Sequence, residues 1–216
     1  GVIHLCEPQP HPSQQCMVEF RAEPMDTVRV GFVGLGMRGP WAVMRFAHIP
    51  GVEVVALCDY ERERADACQR FLYESSMMPA DVYHGEHGYE ALCERDDIDL
   101  IYVATPWASH VEMALYAMEC GKHVAVEVPA AFTMEELWQI IDTSERTRKH
   151  CMMLENCIYD FFELTAFNMA KQGVFGEILH TEGAYIHSLD HSMRRTDRTW
   201  RIDHLRGFRG DAYPTH

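Results

Sequence analysis

The amino-acid sequence predicts an α/β fold in which a doubly wound parallel sheet is followed by the start of a second, α+β domain. Three observations lead to this prediction. Apolar segments of strand length alternate with one-sided helical segments from residue 28 to about residue 158. The first apolar segment runs directly into a glycine-rich turn, and the second ends in an aspartate. From Asp160 onwards the alternation changes, which indicates a second domain.

The first strand and the turn after it form the most informative segment of the chain. Val28–Val33 is an apolar strand that leads into Gly34-x-Gly36-x-x-Gly39. Gly34 permits a tight turn, Gly36 permits close approach of a diphosphate, and Gly39 permits close packing of a helix on the strand. A helix predicted over 40–49 would direct free N–H groups at that anion. We therefore predict a Rossmann-type dinucleotide-binding domain.

The second strand ends at Asp59, which lies 20 residues after Gly39. A dinucleotide-binding unit places the carboxylate that binds the ribose hydroxyls at about this distance. Because a carboxylate repels a 2′-phosphate, the sequence favours NAD over NADP. The alternative is a glycine-rich turn without a ligand. The order strand, glycines, helix, strand and aspartate argues against that alternative.

The later strands are recognised by apolar runs of four to six residues. They are predicted near 53–58, 99–104, 123–127 and 151–155, with a short extended piece and a helix between 81 and 98. Doubly wound sheets of this kind bury their strands on both faces, which explains why the runs are continuous rather than alternating.

The helices are recognised by their ends as well as by their apolar spacing. The segment from Val111 to Met118 is one-sided, and Gly121 is expected to end its helix. In the next helix Thr133 is the predicted N-cap and Glu136 its capping-box partner. After Asp160 we predict a helix to about Gln172 that ends at Gly173, and then a half-buried strand over 177–187.

Three regions follow from these patterns: a proline-rich arm over 1–27, the nucleotide-binding domain over 28–158, and the beginning of a C-terminal substrate domain over 159–216. The last of these is expected to be incomplete. The arm lacks the basic-then-apolar pattern of a signal peptide. The sequence therefore leaves the compartment open between the cytoplasm and an exported, processed form.

Composition excludes several classes of partner. A net charge of −14 argues against nucleic acid and anionic membranes, and no apolar run reaches the length of a membrane span. The eight cysteines contain no CxxC pair and no regular framework, which favours free thiols. Two histidine pairs, His84/His87 and His187/His191, lack the shared helix face that metal ligands need, so no metal site is predicted.

Several motifs together resemble the Gfo/Idh/MocA oxidoreductases. They are the glycine turn, Thr105-Pro106-Trp107-x-x-His110, Gly121-Lys122-His123-Val124 and Glu127-x-Pro129. A narrower set resembles glycoside hydrolase family 109, the NAD-dependent α-N-acetylgalactosaminidases. This set comprises Gly34 to Pro40, Glu127 to Ala131, Asn156-Cys-x-Tyr159, Gly173 to Ile178, Glu182 to His187 and Tyr213-Pro-Thr-His216.

The resemblance implies a glycosidase that works by oxidation at carbon 3 of the sugar, elimination of the aglycone, addition of water and re-reduction, with NAD recycled. One departure from the wider family supports this reading. Sugar dehydrogenases of the family carry Glu-Lys-Pro, whose lysine assists proton transfer. Val128 stands there instead, and a valine is neither acid nor base. The family-109 proteins resemble this chain in having Glu-Val-Pro.

The resemblance also implies a set of functional residues. Cofactor-binding positions are Gly34, Leu35, Gly36, Met37, Arg38, Gly39, Asp59, Thr105, Trp107, His110, Glu127 and Asn156. Tyr159, Tyr213 and His216 are the expected catalytic set, with Arg201 and Tyr213 contacting a small-molecule glycoside. Each has a structural alternative: Tyr159 packed at a domain junction, Trp107 covering apolar surface, Glu127 a strand-end hydrogen-bonding group, His216 a solvated imidazole.

Two other functions stay open at this point. One is an NAD-dependent oxidoreductase acting on a sugar or cyclitol, and the other is an NAD-binding fragment without turnover. A homo-oligomer is compatible with the sequence, because members of the wider family often pair through the second-domain sheet.

Overall fold

The computed structural model describes residues 15–182 and Gly207. The chain divides into two compact units, Gly1–Leu154 and Glu155–His216. Two predicted site residues, Asn156 and Tyr159, belong to the second unit. The three-region division given above remains a prediction.

The first unit alternates strands and helices, as the sequence predicts. Its strands are β1 (Val28–Val33), β2 (Val52–Asp59), β3 (Asp81–His84), β4 (Leu100–Val103), β5 (His123–Val126) and β6 (Cys151–Met153). Its helices are α1 (Gly39–Phe46), α2 (Arg62–Glu74), α3 (Gly88–Cys93), α4 (His110–Glu119) and α5 (Met134–Thr147), with a short 3-10 helix at Trp107–Ser109.

The six strands form one sheet in the order β3-β2-β1-β4-β5-β6, and every neighbouring pair is parallel. From β1 the sheet extends through β2 to β3 on one side. The chain then crosses to β4, which pairs with the other side of β1. This reversal creates a crevice at the carboxyl ends of β1 and β4, where open α/β sheets bind their ligands. The predicted doubly wound fold is confirmed.

Apolar side chains cover both faces of this sheet, which accounts for the continuous apolar strands. On one face Val30, Phe32, Leu57 and Tyr102 pack against α1 and α2. On the other face Val33, Ile101, Val103 and Val124 pack against α3 and α4. Adjacent residues of one strand serve opposite faces because strand side chains alternate.

The predicted helix ends of the first unit are confirmed in detail. The Glu136 N–H donates to Thr133 Oγ1 at 3.1 Å, and the Thr133 N–H donates to Glu136 Oε2 at 3.0 Å, which is a complete capping box. Gly121 follows α4 with a φ of 78°, a conformation that favours glycine. The uncertain region 81–98 contains the predicted short strand and helix as β3 and α3.

The second unit contains helix α6 (Phe161–Lys171), followed by Gly173 with a φ of 71°. Tyr159 lies two residues before this helix. The strand predicted over 177–187 is wrong over 177–182, which are exposed and form no strand. A strand needs a partner for its backbone hydrogen bonds, and alternation alone supplies none. Residues 183–187 lie outside the described part of the chain.

No helix in residues 15–182 is long and apolar enough to cross a bilayer. The seven cysteines within the described residues, from Cys16 to Cys157, are free thiols. Burial raises the pKa of the Cys58, Cys93 and Cys151 thiols to about 12, so they stay protonated inside the core. Protonated and buried, these three residues act as small apolar side chains.

At the amino end of β5, opposite the carboxyl-end crevice, His123 contacts His150. The His123 Nδ1 atom accepts the His150 N–H at 3.0 Å, so this nitrogen carries no proton. Burial, reinforced by the nearby charges of Lys149 and His150, lowers the pKa of His123 to about 4, against a small opposing effect of Asp99. The folded chain therefore holds a neutral imidazole at this position.

We expect His123 to make folding less favourable as the pH falls. An unfolded histidine binds a proton below about pH 6.5, whereas the folded chain resists protonation of His123 down to about pH 4. Between these values the unfolded state binds more protons, so the stability present above pH 6.5 is lost towards pH 4. His123→Asn keeps an acceptor oxygen but does not titrate. Between pH 7 and about 5, the free energy of unfolding of the His123→Asn variant should therefore fall by about 1–2 kcal/mol less than that of the unaltered chain.

Urea denaturation at pH 7, 6 and about 5 measures this difference. The matched control is His48→Asn, which removes an exposed histidine on the surface near α1. Parallel pH curves for the unaltered chain and His123→Asn would contradict the prediction. A flattened curve for His48→Asn as well would show that histidines in general, rather than His123, cause the slope.

Candidate cofactor and active site

Four loops meet at the carboxyl-end crevice of the sheet. The glycine turn follows β1, Asp59 ends β2, Ala104 and Thr105 follow β4, and Glu127 follows β5. Backbone hydrogen bonds fix where each loop begins. Gly34 N–H donates to the Cys58 carbonyl at 2.9 Å, and Glu127 N–H donates to the Val103 carbonyl at 2.9 Å. The predicted residues of the first unit are thus brought together by the parallel strand order.

Two glycines of the turn are required by close packing. Gly34 has a φ of 93°, and a Cβ there would lie 2.6 Å from backbone atoms of Ala104 and Thr105. A Cβ on Gly39 would lie 2.0 Å from the Gly34 carbonyl oxygen. A side chain at position 34 would push the turn away from the β4 loop, and a side chain at position 39 would push α1 away from the turn. These contacts agree with the roles predicted for the first and third glycines.

The middle of the turn is open. A Cβ on Gly36 would meet nothing nearer than Arg64 Nη1 at 3.8 Å, and Gly36, Met37 and Arg38 are all exposed. Within residues 15–182, the backbone N–H groups of these three residues donate no hydrogen bond. Unpaired N–H groups before the first turn of α1 form a cradle for an anion such as a diphosphate. Leu35 differs, because its side chain is buried.

Asp59 is buried, with 5% of its surface exposed, and it holds the turn in place. Its Oδ2 accepts the Leu35 N–H at 2.6 Å, and its Oδ1 accepts the Glu61 N–H at 2.9 Å. A carboxylate can accept about four hydrogen bonds, so capacity for ribose hydroxyls remains. The sequence predicted the ribose contact but missed this structural role. It also missed Arg64, whose Nη1 lies 3.5 Å from Asp59 Oδ1.

Glu127 is oriented by a residue that sequence reasoning also missed. The Tyr102 hydroxyl donates to Glu127 Oε1 at 2.7 Å. The Tyr102 ring is buried against Phe32, with ring centroids 5.1 Å apart, so the hydroxyl is held rigidly. Burial, and then the Glu127 charge, raise the pKa of Tyr102 well above its usual range, so the phenol remains a donor. A tyrosine within a buried strand needs a polar partner for its hydroxyl. The tyrosine at position 102 of the apolar strand is therefore the sequence feature that could have indicated this contact.

The predicted residues of the β4 loop differ in how exposed they are and in what they contact. Thr105 is partly exposed and accepts the Ser109 hydroxyl at 2.8 Å. Trp107 is 6% exposed and lies 5.9 Å from Phe132, centroid to centroid. This position agrees with the structural alternative that Trp107 covers apolar surface.

His110 is fully buried, and its predicted place among the cofactor-binding residues remains a prediction. Its Nδ1 lies 2.7 Å from the Pro129 carbonyl oxygen and its Nε2 lies 2.9 Å from that of Thr105. Burial lowers its pKa, and the two carbonyls oppose that shift. The imidazole therefore ties the β4 loop to the segment after β5.

The remaining predicted residues are distributed beyond the first unit. Asn156 and Tyr159 lie in the second unit and are exposed, Tyr159 by 69%. Arg201, Tyr213 and His216 lie outside the described residues. Their predicted roles in catalysis and substrate binding therefore remain predictions.

Residues 28–155 match the Gfo/Idh/MocA family, described as an oxidoreductase family with an NAD-binding Rossmann fold. The chain belongs to this family. The predicted resemblance and the predicted NAD cofactor are both confirmed. The Gfo/Idh/MocA match covers the whole sheet, from β1 to β6, and therefore includes every loop of the crevice described above.

Individual relatives are named as members of glycosyl hydrolase family 109. One from Bacteroides fragilis is 57% identical over 204 residues, which is 94% of this chain and 44% of the relative. Another, from Phocaeicola vulgatus, is 54% identical over an alignment of 226 residues that covers 100% of this chain and 41% of the relative. This Gfo/Idh/MocA chain thus spans less than half the length of these relatives.

A solved structure with the same fold is the myo-inositol dehydrogenase from Lactobacillus casei, in complex with NAD(H) and myo-inositol. It is 27% identical, with a TM-score of 0.62 over 69% of this chain and 43% of that chain. The residues present here fit the NAD cofactor of the family. The exposed, unpaired N–H groups around Gly36 suit a diphosphate, and Asp59 lies at the end of β2 where a ribose is bound.

Proposed function

We propose that this chain is the NAD-binding part of an NAD-dependent glycosidase of the α-N-acetylgalactosaminidase type. The observation that carries the proposal is the 57% identity to a family-109 protein over 94% of the chain. Such identity is far above the 27% shared with the dehydrogenase of the same fold.

The residues after β5 support a function other than simple dehydrogenation. Val128 occupies the position at which sugar dehydrogenases of the family carry a lysine, and a valine cannot transfer a proton. Glu127 keeps its place at the strand end, with its carboxylate fixed by the Tyr102 hydroxyl at 2.7 Å. In the proposed enzyme Glu127 binds and orients groups beside the nicotinamide.

Bound NAD would supply reversible oxidation and reduction at carbon 3 of the sugar. The glycine turn and Asp59 would hold its diphosphate and ribose, and Thr105 would line the nicotinamide end. Proton transfer and leaving-group departure are assigned to Tyr159, Tyr213 and His216. A histidine can exchange protons near neutral pH without a large pKa shift, and tyrosines can relay protons or bind hydroxyls. Arg201 and Tyr213 would contact the glycoside, and Asn156 the cofactor.

A second candidate is an NAD-dependent oxidoreductase that acts on a sugar or cyclitol. The likeness to the myo-inositol dehydrogenase structure favours it, because the same sheet and crevice serve simple oxidation there. The two candidates differ in their products. A glycosidase that recycles its cofactor yields free aglycone without net NADH, whereas a dehydrogenase yields NADH in proportion to substrate consumed.

The deciding experiment incubates the chain with NAD and p-nitrophenyl α-N-acetylgalactosaminide and records nitrophenol and NADH together. Nitrophenol without accumulating NADH is the expected result. NADH formed from myo-inositol or a free sugar, with no nitrophenol, would overturn the proposal in favour of the oxidoreductase. Nitrophenol release unchanged by Gly36→Ala, which weakens NAD binding, would mean that the hydrolysis does not use this site.

A third result is bound NAD with no turnover of any of these substrates. The chain would then be an NAD-binding unit without activity of its own, and the proposed glycosidase activity would be wrong for these 216 residues. Titration of NAD against intrinsic tryptophan fluorescence, run in parallel, separates this result from a failure to bind the cofactor.

A further inference from the structure

An arginine stands beside the ribose carboxylate of the crevice. Arg64 lies in the first turn of α2, and its side chain is 53% exposed. Its Nη1 atom is 3.5 Å from Asp59 Oδ1 and 3.8 Å from the place a Cβ on Gly36 would occupy. The guanidinium therefore bridges the end of β2 and the middle of the glycine turn. A dinucleotide that binds there has its adenosine ribose beside this cation.

The carboxylate itself is less available than the sequence implies. Asp59 is 5% exposed, and both of its oxygens already accept backbone N–H groups, from Leu35 at 2.6 Å and from Glu61 at 2.9 Å. These charge-assisted hydrogen bonds and the adjacent guanidinium compensate the negative charge. Arg64 is a charged group that contacts this carboxylate and also reaches solvent. Electrostatic exclusion of a 2′-phosphate is correspondingly weaker than an isolated, exposed aspartate would give.

We infer that Arg64 gives this site measurable affinity for NADP, so that the chain accepts NADP as well as NAD. A guanidinium fork is well suited to phosphate oxygens, and an arginine after β2 accommodates the 2′-phosphate in NADP-binding domains of this fold. The exposed Glu61 and Glu63, together with the buried Asp59, still repel that phosphate. NAD is therefore the tighter ligand, and NADP binds with measurable affinity because of Arg64.

The test compares dissociation constants for NAD and NADP, by calorimetry, in the unaltered chain and two variants. Arg64→Ala should weaken NADP binding at least about tenfold, because phosphate contacts are lost, and NAD binding by no more than about threefold. The matched control is Arg62→Ala, two residues earlier in the same helix. Arg62 is 63% exposed and pairs with Asp66 at 3.5 Å, so its removal should change neither constant by more than about twofold.

Several results would overturn the inference. No NADP binding at concentrations that saturate the chain with NAD would exclude acceptance of the 2′-phosphate. Equal weakening of both ligands by Arg64→Ala would make Arg64 a support for Asp59 and not a selectivity residue. Equal effects of the two arginine variants would point to general charge. All of these are binding measurements, so they stand or fall independently of glycoside turnover.

Discussion

The substitution Gly39→Ala is expected to destabilise the fold and to abolish tight NAD binding. The new Cβ would lie 2.0 Å from the Gly34 carbonyl oxygen and 3.0 Å from its carbonyl carbon. Both atoms belong to the backbone of a tight turn, so the clash cannot be relieved by rotating a side chain. Helix α1 must instead move away from β1. We expect a loss of about 2–4 kcal/mol in the free energy of unfolding.

Gly36→Ala is the matched comparison, because it adds the same methyl group three residues earlier. The nearest heavy atom to its Cβ would be 3.8 Å away, at the end of a flexible arginine. The free energy of unfolding should change by less than about 1 kcal/mol. NAD binding should weaken at least about tenfold, since a methyl group there keeps the backbone away from the diphosphate.

Urea denaturation without cofactor and NAD titration of the folded proteins measure the two effects separately. Gly39→Ala should fail in both measurements and Gly36→Ala only in the second. If Gly39→Ala were as stable as the unaltered chain, the close packing of α1 on the turn would be wrong. If Gly36→Ala bound NAD normally, the diphosphate would not lie over the open part of the turn.

The parts of this molecule that sequence predicts well are those decided by neighbouring residues. The glycine turn is an example, because Gly39 is required by its contact with Gly34 in the same turn, and Gly34 is favoured by its own φ of 93°. The capping box of Thr133 and Glu136 is another, since its two hydrogen bonds join residues three apart. Local geometry and local residue choice agree in both cases, so pattern reading succeeds.

The features that were missed depend on which strands lie side by side. The hydrogen bond from Tyr102 to Glu127 joins residues 25 apart, and it exists because β4 and β5 are adjacent in the sheet. The burial of His110 has the same origin. A histidine at the start of a helix reads as exposed, yet the loops after β4 and β5 close over it and supply both carbonyl partners. The spacing of residues along the sequence does not predict such contacts.

The error over 177–182 shows the opposite case, a local pattern without long-range support. The pattern of 177–187 predicts a half-buried strand, but residues 177–182 are exposed and pair with no described strand. Alternation of polar and apolar residues indicates which side chains would face a core if the segment belonged to a sheet. It contains no information about whether that sheet exists.

Asp59→Asn is expected to weaken both the fold and NAD binding, although it changes a single atom. The two carboxylate oxygens accept N–H groups from Leu35 and Glu61, at 2.6 and 2.9 Å, in a position that is 5% exposed. An asparagine offers one acceptor oxygen, so its amide nitrogen must face one of these donors. A buried N–H group then loses its partner, and the other loses a charged one. We expect the free energy of unfolding to fall by about 2–3 kcal/mol.

The control for this change is Asp66→Asn, on the surface of the same region. Asp66 has a side chain that is 41% exposed, and its pairing with Arg62 at 3.5 Å is an exposed contact within α2. Such pairs contribute little, so its loss should change stability by less than about 0.5 kcal/mol. Urea denaturation of the two variants isolates the effect of burial from that of removing a negative charge. Equal stability of both variants would contradict the structural role of Asp59.

NAD titration of Asp59→Asn then separates the two functions of this carboxylate. If Asp59 also binds the ribose, affinity should fall at least about tenfold even in conditions where the variant is fully folded. If affinity is retained there, the carboxylate only holds the glycine turn through Leu35, and the ribose is bound by other groups. The predicted preference for NAD would then lose its basis in Asp59, and selectivity at this end of the crevice would depend on the exposed Arg64 beside it.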